Sequence, residues 1–589
     1  MTTPWRSHSC GELRKEHIGK SVRLCGWVRG IRDKGGMIWI DLRDRYGYTQ
    51  LALERSQTSA ELLKKVEALG KEWVIQIHGK VIQREAPNPK LPTGEIEVQV
   101  QSLSHISRSK LPPFLIEDET DGGEELRMNY RYLDLRRPRL QQHLQLRHQV
   151  VQAFRSYLDK CNFLEIETPM LIRSTPEGAR DFLVPSRLQK GSAYALPQSP
   201  QLLKQLLMVS GMDRYYQLAR CFRDEDLRSD RQPEFTQLDA EMSFLRQEDI
   251  LSLFEEATRH VFQVVKGISL PTFQRISYED CCEKYGTDKP DLRMDLALHP
   301  FKELVTGRGF DLFDHAEGVL GMVIPGGATY TRKQIQKLED LLSSKFEDKK
   351  RLIWVRFKED GPRSSVDKFY PPEVLRSWGE RVKLNTGDLL ILAGGDPPQT
   401  RHMFSFLRQH ILEEKYPLLS KDFAPLWVLD FPLFYESEGR LQSTHHPFTR
   451  PREEDIKTLS NPKRLKSQAY DLVINGIEIG GGSLRIHEHD VQREVLKILG
   501  FSAQEQKKHF GFFLRALEYG APPHGGIALG IDRLCALLGG QRFIKDFIAF
   551  PKNTAGKDLS LESPDQIPQK TWETYGLHRP PSRSPHAKL

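Results

Sequence analysis

Apolar and polar positions alternate in short runs through the first hundred residues. Val22, Leu24, Gly26 and Val28 alternate with Arg23, Cys25, Trp27 and Arg29; Ile38, Ile40 and Leu42 alternate with Met37, Trp39, Asp41 and Arg43; Thr49, Leu51 and Leu53 follow. A period of two places successive side chains on opposite faces and marks strands. A helical stretch from Ser59 to Leu69 comes next. Two more strands, Trp73–Ile82 and Glu95–Gln101, close the set, the last with Ile96, Val98 and Val100 on one face and Glu95, Glu97 and Gln99 on the other. Three strands, a helix and two strands predict a five-stranded OB barrel, a fold that offers one face to single-stranded nucleic acid. With Ile38, Ile40 and Leu42 inside, Trp39 must face outward beside Arg43, where it either stacks on a base or lies under a loop.

Pro-, Asp- and Gly-rich sequence from Ser107 to Glu125 marks a domain boundary. An arginine-dense segment, Arg127–Arg139, leads into a helix opened by Pro138, with Leu140, Leu144, Val151, Phe154 and Leu158 at spacings that bury one face. Strand-like runs at Tyr215–Leu218, Trp427–Phe431 and Ile527–Leu529 separate long helical patterns, which predicts a mixed α+β domain around a largely antiparallel sheet. Between roughly residues 285 and 425 Lys and Glu rise and the chemically suggestive triplets vanish, as in an inserted domain. The expected division is therefore 1–108 barrel, 109–138 linker, 139–286 first part of a catalytic core, 287–424 inserted α+β domain, 425–560 second part of the core, and 561–589 a polar, proline-rich tail.

Charge narrows the class without fixing it. There are 86 Lys and Arg against 79 Asp and Glu, so a net charge of +7 excludes a polybasic protein and permits, without requiring, a nucleic-acid partner. No stretch of 18 apolar residues occurs and the first residues have no apolar signal core, which predicts a cytoplasmic protein without a membrane partner. Seven scattered cysteines without a Cys-x-x-Cys pair read as reduced thiols.

Common phosphate motifs fail. Gly19-Lys20-Ser21 lacks the opening glycine, since position 14 is Arg14, and no Gly-x-Gly-x-x-Gly follows a strand. Gly480-Gly481-Gly482 beside Ser483 and Arg485 fits either close backbone approach to a ligand or a tight strand crossing. His445-His446 and His487-Glu488-His489 lack the spacing of a zinc pair. The segment from Cys221 to Glu241 is more specific: an arginine placed by a strand, a charged loop, and a second strand with alternating polar residues can hold a ligand carrying both phosphate and amine.

At Phe222-Arg223-Asp224-Glu225 with Arg231-Gln232-Pro233-Glu234-Phe235, and at Gly530-Ile531-Asp532-Arg533 opening an apolar helix, the sequence resembles the class II aminoacyl-tRNA synthetases, and within them the bacterial-type aspartyl enzymes. A looser first motif, Phe163 to Pro169, corresponds to a strand-proline element that builds a homodimer interface in that family. Further matches are Ser174–Asp181, Gln198–Gln205, His445-His446-Pro447-Phe448 and Gly480–Arg485, so the resemblance runs from about residue 8 to 560.

The resemblance implies roles. Arg223 would bridge the α-carboxylate of aspartate and the α-phosphate of ATP, and Arg533 would hold the γ-phosphate through its two-pronged guanidinium. Asp224, Glu225, Gln232, Glu478, Gly530, Ile531 and Asp532 would line the nucleotide, with Glu225 accepting the adenine amino group. Asp471 and Glu478, seven apart on an apparent strand-turn, would hold Mg²⁺. Lys204 and Arg485 would pair with the aspartate side chain, Asp239 and Glu177 with its ammonium, Ser199 and Gln201 would add hydrogen bonds, and His445 would belong to a loop covering the amino acid. In the barrel Arg32, Trp39, Gln50, Arg84 and Glu97 would meet the anticodon of tRNA(Asp). Lys34 stands where many members restricted to that tRNA carry leucine, so Lys34 together with Leu91 bears on discrimination.

The activity implied is aspartate–tRNA ligation in protein synthesis, by way of aspartyl-adenylate. A second reading extends it to tRNA(Asn). A third, an inactive RNA-binding paralogue, is opposed by the presence of both arginines and both acids.

Overall fold

The computed structural model describes residues 3–175, 178–228, 230–346, 351–415, 422–456, 459 and 461–577. The chain forms two compact units: one runs to Gln145 and takes in Ile548–Asp565, and the other comprises Leu146–Phe547 with the segment from Gln566. These limits differ from the expected ones at both ends of the core. Residues 548–565 join the first unit because Arg131 donates to the Ile548 and Ala549 carbonyls at 3.0 and 2.9 Å, and Ser560 Oγ donates to the Met128 carbonyl at 2.6 Å.

In the first unit β1 (Ser21–Asp33), β2 (Met37–Asp44), β3 (Gly47–Glu54), β4 (Val74–Gln83) and β5 (Ile96–Ser107) close a barrel in the order β1-β2-β3-β5-β4. A helix, Ala60–Glu67, follows β3 and is capped by Ser59, whose hydroxyl accepts from the Leu62 amide. The alternating apolar positions Leu24, Ile40, Leu51, Ile77 and Val98 fill the interior. One side chain departs from the expectation. Arg43 is buried and grips Glu72 with two bonds of 2.7 and 2.8 Å, so it is unavailable as an exposed neighbour of Trp39. The arginine paired with Trp39 across the ladder is Arg32.

The second unit holds an eight-stranded sheet. Its strands are β6 (Leu164–Glu165), β9 (Arg214–Phe222), β10 (Glu234–Ser243), β11 (Gln274–Ser277), β17 (Pro425–Leu429), β20 (Ala469–Ile474), β21 (Ile477–Leu484) and β22 (His524–Gly530), ordered β11-β17-β20-β21-β22-β10-β9-β6. All pairs are antiparallel except the two at the edges. Side hairpins are formed by β7 (Leu183–Pro185) with β8 (Ala193–Ala195) and by β18 (Phe434–Ser437) with β19 (Arg440–Ser443). The helix Pro138–Lys160 buries Leu140, Leu146, Val150, Ala153, Phe154 and Leu158, whereas Leu144 and Val151, expected on that face, are half-buried.

Between β11 and β17 the chain builds a separate antiparallel sheet from β12 (Leu298–Pro300), β13 (Gly318–Ile324), β14 (Ile353–Lys358), β15 (Gly361–Ser364) and β16 (Leu389–Gly395), ordered β12-β13-β16-β14-β15. Along β16, Leu389 and Ile391 enter one apolar core and Leu390 and Leu392 the other, so both faces of the sheet are covered. No helix among the described residues is long and apolar enough to cross a membrane.

Candidate active site

Register sets the site. In the antiparallel ladder between β10 and β22, Gln237 pairs with Gly530, and between β9 and β10, Phe222 pairs with Glu234. Arg223, one residue past β9, and Arg533, three past β22, are thereby delivered to the same end of the sheet, because both strands run antiparallel to β10. Both line a single cavity of about 680 Å³, together with Ser199, Gln201, Lys204, Glu225, Gln232, Asp239, His445, Asp471, Glu478, Arg485, Gly530 and Asp532. Residues spread over more than 330 positions of sequence meet there.

Three expected residues are not placed among them. Glu177 lies outside the described residues. Asp224 is exposed, held by its amide donating to the Arg180 carbonyl at 3.1 Å, and Ile531 opens the helix Ile531–Leu538 with its side chain fully in the core. Asp532 lines the cavity, but its carboxylate is engaged: it accepts from the Thr236 amide at 2.8 Å and pairs with Arg147, so it braces the helix start against β10.

One end of the cavity carries a buried network of charge. Lys204, on the helix Gln201–Val209, donates to Asp239 Oδ1 at 3.0 Å and lies 3.5 Å from Glu241 Oε2. Arg485 donates from Nε to Glu241 Oε1 at 2.9 Å and from an outer nitrogen to Oε2 at 3.2 Å. All four side chains are at most 1% exposed. Burial pushes the Asp239 carboxyl up, against the pull of Lys204. Burial would do the same to Glu241, yet Arg485 and Lys204 outweigh it and hold that carboxyl below the ordinary value.

Sequence reasoning missed Glu241 and His446. His446 Nε2 lies 2.6 Å from an Arg485 nitrogen. Because a guanidinium only donates, that ring nitrogen accepts, and burial together with Arg485 pushes the imidazole well below its usual pKa, so it is neutral. His445 instead lies against Phe431 with Nε2 3.2 Å from Asp471 Oδ1. The signal for Glu241 was present in β10, where Gln237, Asp239 and Glu241 share one parity.

Gln201 Nε2, Asp239 Oδ2, Thr444 Oγ1 and His445 Nδ1 are buried without a hydrogen-bond partner, and all four residues line the cavity. Buried polar atoms in native proteins are almost always paired, so these four mark the place of a polar ligand.

At the other end, the Arg223 guanidinium lies 5.1 Å over the Phe235 ring, Glu225 pairs with Arg231 at 2.9 Å, and Arg533 faces Asp230 at 3.3 Å and donates to the Glu478 carbonyl at 3.1 Å. Asp471 and Glu478 stand on facing strands of one hairpin, β20–β21, turned by Asn475-Gly476. A bulge falls between Leu472 and Val473, where Ile479 is surplus on the opposite strand. Three apart on a regular strand, Glu478 and Gly481 would face opposite sides; the bulge turns both toward the face that carries Asp471. A Cβ on Gly481 would come 2.3 Å from Asp471 Oδ1, and one on Gly482 2.0 Å from the Gly526 carbonyl. Gly482 therefore serves strand approach and Gly481 makes room for a carboxylate.

Burial raises the Asp471 carboxyl, while Lys289 at 2.7 Å, with Arg533, outweighs burial and lowers Glu478. Two carboxylates on one wall, with glycine backbone beside them, fit a hard divalent cation. Among the described residues no cluster of three or more His, Cys, Asp or Glu side chains completes a metal cage, so such an ion would draw the rest of its shell from phosphate and water.

On the barrel, Arg32 pairs with Asp41 at 2.8 Å and donates to Gln50 Oε1 at 3.1 Å, and Gln50 donates to Glu97 Oε2 at 2.7 Å. Half-buried Trp39 stands opposite Arg32. Lys34 is exposed in the β1–β2 turn, and half-buried Arg84 and Leu91 lie in the β4–β5 connection.

Residues 123–554 match the family described as class II tRNA synthetases (D, K and N), and residues 22–106 the OB-fold nucleic acid binding domain. The first match covers the antiparallel sheet of the second unit and the other the closed five-stranded barrel of the first. The chain is 52% identical to the aspartate–tRNA ligase of Amoebophilus asiaticus (strain 5a2), covering 97% of this chain and 99% of that protein. It is 49% identical to the aspartate–tRNA ligase of Flavobacterium psychrophilum, over 96% and 97%. Its fold is shared with asparaginyl-tRNA synthetase from Pyrococcus horikoshii complexed with asparaginyl-adenylate, at a TM-score of 0.60, 21% identity, and coverage of 92% of this chain and 97% of that one. The chain belongs to the aspartate–tRNA ligase family.

Proposed function

We infer that this cavity joins L-aspartate to ATP, releasing pyrophosphate, and that the aspartyl group then passes from the adenylate to the 3′ end of tRNA(Asp). The observation that supports it most is that two separate sets of charges, Lys204, Asp239 and Arg485 (the last bonded to Glu241) and Arg223, Arg533, Asp471 and Glu478, line one cavity.

Activation brings a carboxylate onto a phosphate, two anions that repel, so fixed cations must neutralise both and hold them in line. Arg223 takes the α-carboxylate and α-phosphate, and Arg533 the γ-phosphate. Mg²⁺ held by Asp471 and Glu478 would supply further neutralisation of the triphosphate. Asp239 Oδ2 accepts from the substrate ammonium, while Lys204 and Arg485 receive its side-chain carboxylate. Glu241, bonded to Arg485 though not itself on the cavity wall, alters how that selection works: the network of Lys204, Arg485, Asp239 and Glu241 holds two cations and two anions, so preference for aspartate over asparagine rests on N–H groups aimed at a carboxylate rather than on a surplus of positive charge.

Aspartate-dependent exchange of label between pyrophosphate and ATP tests the reading; a folded protein without exchange refutes it. A homodimer is part of the same reading, supported by the strand-proline motif at Phe163–Pro169 and by Leu164 and Leu171, each about half exposed at 54% and 51%, and sedimentation checks it. So are a cytoplasmic site of action and the division of the chain into barrel, linker, core and inserted domain.

A second reading, charging of tRNA(Asn) as well, is favoured by the exposed Lys34 at the β1–β2 turn. Aspartylation of both tRNAs by the wild type and by Lys34→Leu separates the two.

A further inference from the structure

Lys289 is in none of the motifs, yet its Nζ lies 2.7 Å from Glu478 Oε2, and it lines the cavity. It belongs to the strap that opens the inserted sheet domain, and that strap is fixed at both sides. Toward the domain, Arg408 donates to the Leu296 and Asp291 carbonyls at 2.9 and 3.2 Å, while Arg293 pairs with Asp291 at 2.6 Å within the strap itself. Toward the acid pair, a Cβ on Gly476, in the turn between Asp471 and Glu478, would come 3.4 Å from Asp291 Cβ and 3.6 Å from the Lys289 carbonyl, so turn and strap are packed together.

The ammonium therefore stands where a cation bound to Glu478 would stand. Its side chain keeps 38% of its surface exposed, so unlike the sealed Lys204 it can leave along a solvated path. The other positive group near this carboxylate, Arg533, has its nearest nitrogen 3.9 Å away and makes its hydrogen bond to the Glu478 carbonyl instead.

Resting on the reading of Asp471 and Glu478 as the metal seat, we propose that Lys289 is an exchangeable counter-ion of Glu478: it holds the carboxylate in the nucleotide-free protein and is displaced when a divalent cation binds. No bond is made or broken beyond the exchange of one cation for another. The inserted domain thereby gains a role at the catalytic centre, because the side chain that must move is carried on its first strap.

Binding of Mn²⁺ without nucleotide, followed by electron paramagnetic resonance on the full-length protein, tests this. Lys289→Met removes the competitor and is expected to tighten Mn²⁺ binding by up to roughly fivefold, the range one partly exposed ion pair can contribute. Lys289→Arg keeps the charge and should bind as the wild type does. Unchanged or weaker binding by a folded Lys289→Met protein overturns the proposal. Glu478→Gln serves as the separate control. If it leaves Mn²⁺ binding intact, the metal seat itself is misassigned; if it abolishes binding while Lys289→Met changes nothing, the seat stands and the displacement is refuted.

Discussion

Arg485 and Glu241 meet through two bonds, 2.9 and 3.2 Å long, with both side chains out of contact with water. Removing one partner of such a pair leaves a buried charge uncompensated, a loss of about 3–5 kcal/mol. Glu241→Gln is therefore expected to lower the unfolding free energy by that order and to raise KM for aspartate more than KM for ATP. Denaturant unfolding and exchange kinetics check the two halves.

The pH dependence of that loss has a definite sign. The folded Glu241 carboxyl titrates below its ordinary value of 4.5, so its stabilising share is present above that value and disappears as pH falls through the lower folded pKa. The stability gap between wild type and Glu241→Gln should be flat from neutrality down to about pH 5 and close below it. Chemical unfolding at a series of pH values reads this directly; a gap that widens in acid contradicts it.

Arg533→Ala removes the guanidinium that, on the proposed function, holds the γ-phosphate, while Glu478 keeps Lys289 beside it. Exchange of pyrophosphate into ATP should fall by roughly 10²- to 10³-fold, as expected when one charge-stabilising donor is lost, with little change in melting temperature.

Gly481→Ala places a methyl group 2.3 Å from Asp471 Oδ1. The carboxylate must move aside, and displacements near 1 Å at a reacting centre cost on the order of 10²-fold. Activity should drop by that order and recover partly at high Mg²⁺, measured as exchange against metal concentration.

On the barrel, Trp39→Ala should weaken tRNA(Asp) binding by about 1–3 kcal/mol, the value of one base stacked on an aromatic ring, while leaving aspartate-dependent exchange untouched. Equal tRNA affinity for variant and wild type would show that the indole is merely structural cover.

Legibility in the sequence followed the number of faces an element buries. The barrel strands hide one face, so Ile38, Ile40 and Leu42 alternate with more polar neighbours and the fold could be read from them. Strand β16 is covered on both faces, so Leu389-Leu390-Ile391-Leu392 forms an unbroken apolar run without period, and the inserted domain, expected only as α+β, disclosed neither its individual strands nor their order. In the catalytic unit, residues carried by short motifs were legible, Arg223 and Arg533 among them. Glu241, His446 and Lys289 were not, because each gains its meaning from a partner between 39 and 244 positions away. Arg43 was misread for the same reason: alternation placed it outside the barrel, and only its grip on Glu72 shows that outside is not always exposed.

The surplus residue in the acidic hairpin has a consequence for how this enzyme could be lost. Inserting one residue between Leu472 and Val473, opposite Ile479, would restore an unbroken ladder, leave Glu478 three regular positions from Gly481 and swing it to the reverse of the sheet, away from Asp471. Every functional side chain would still be encoded, in its original order. A descendant carrying that insertion would pass inspection by motif and be silent at the bench.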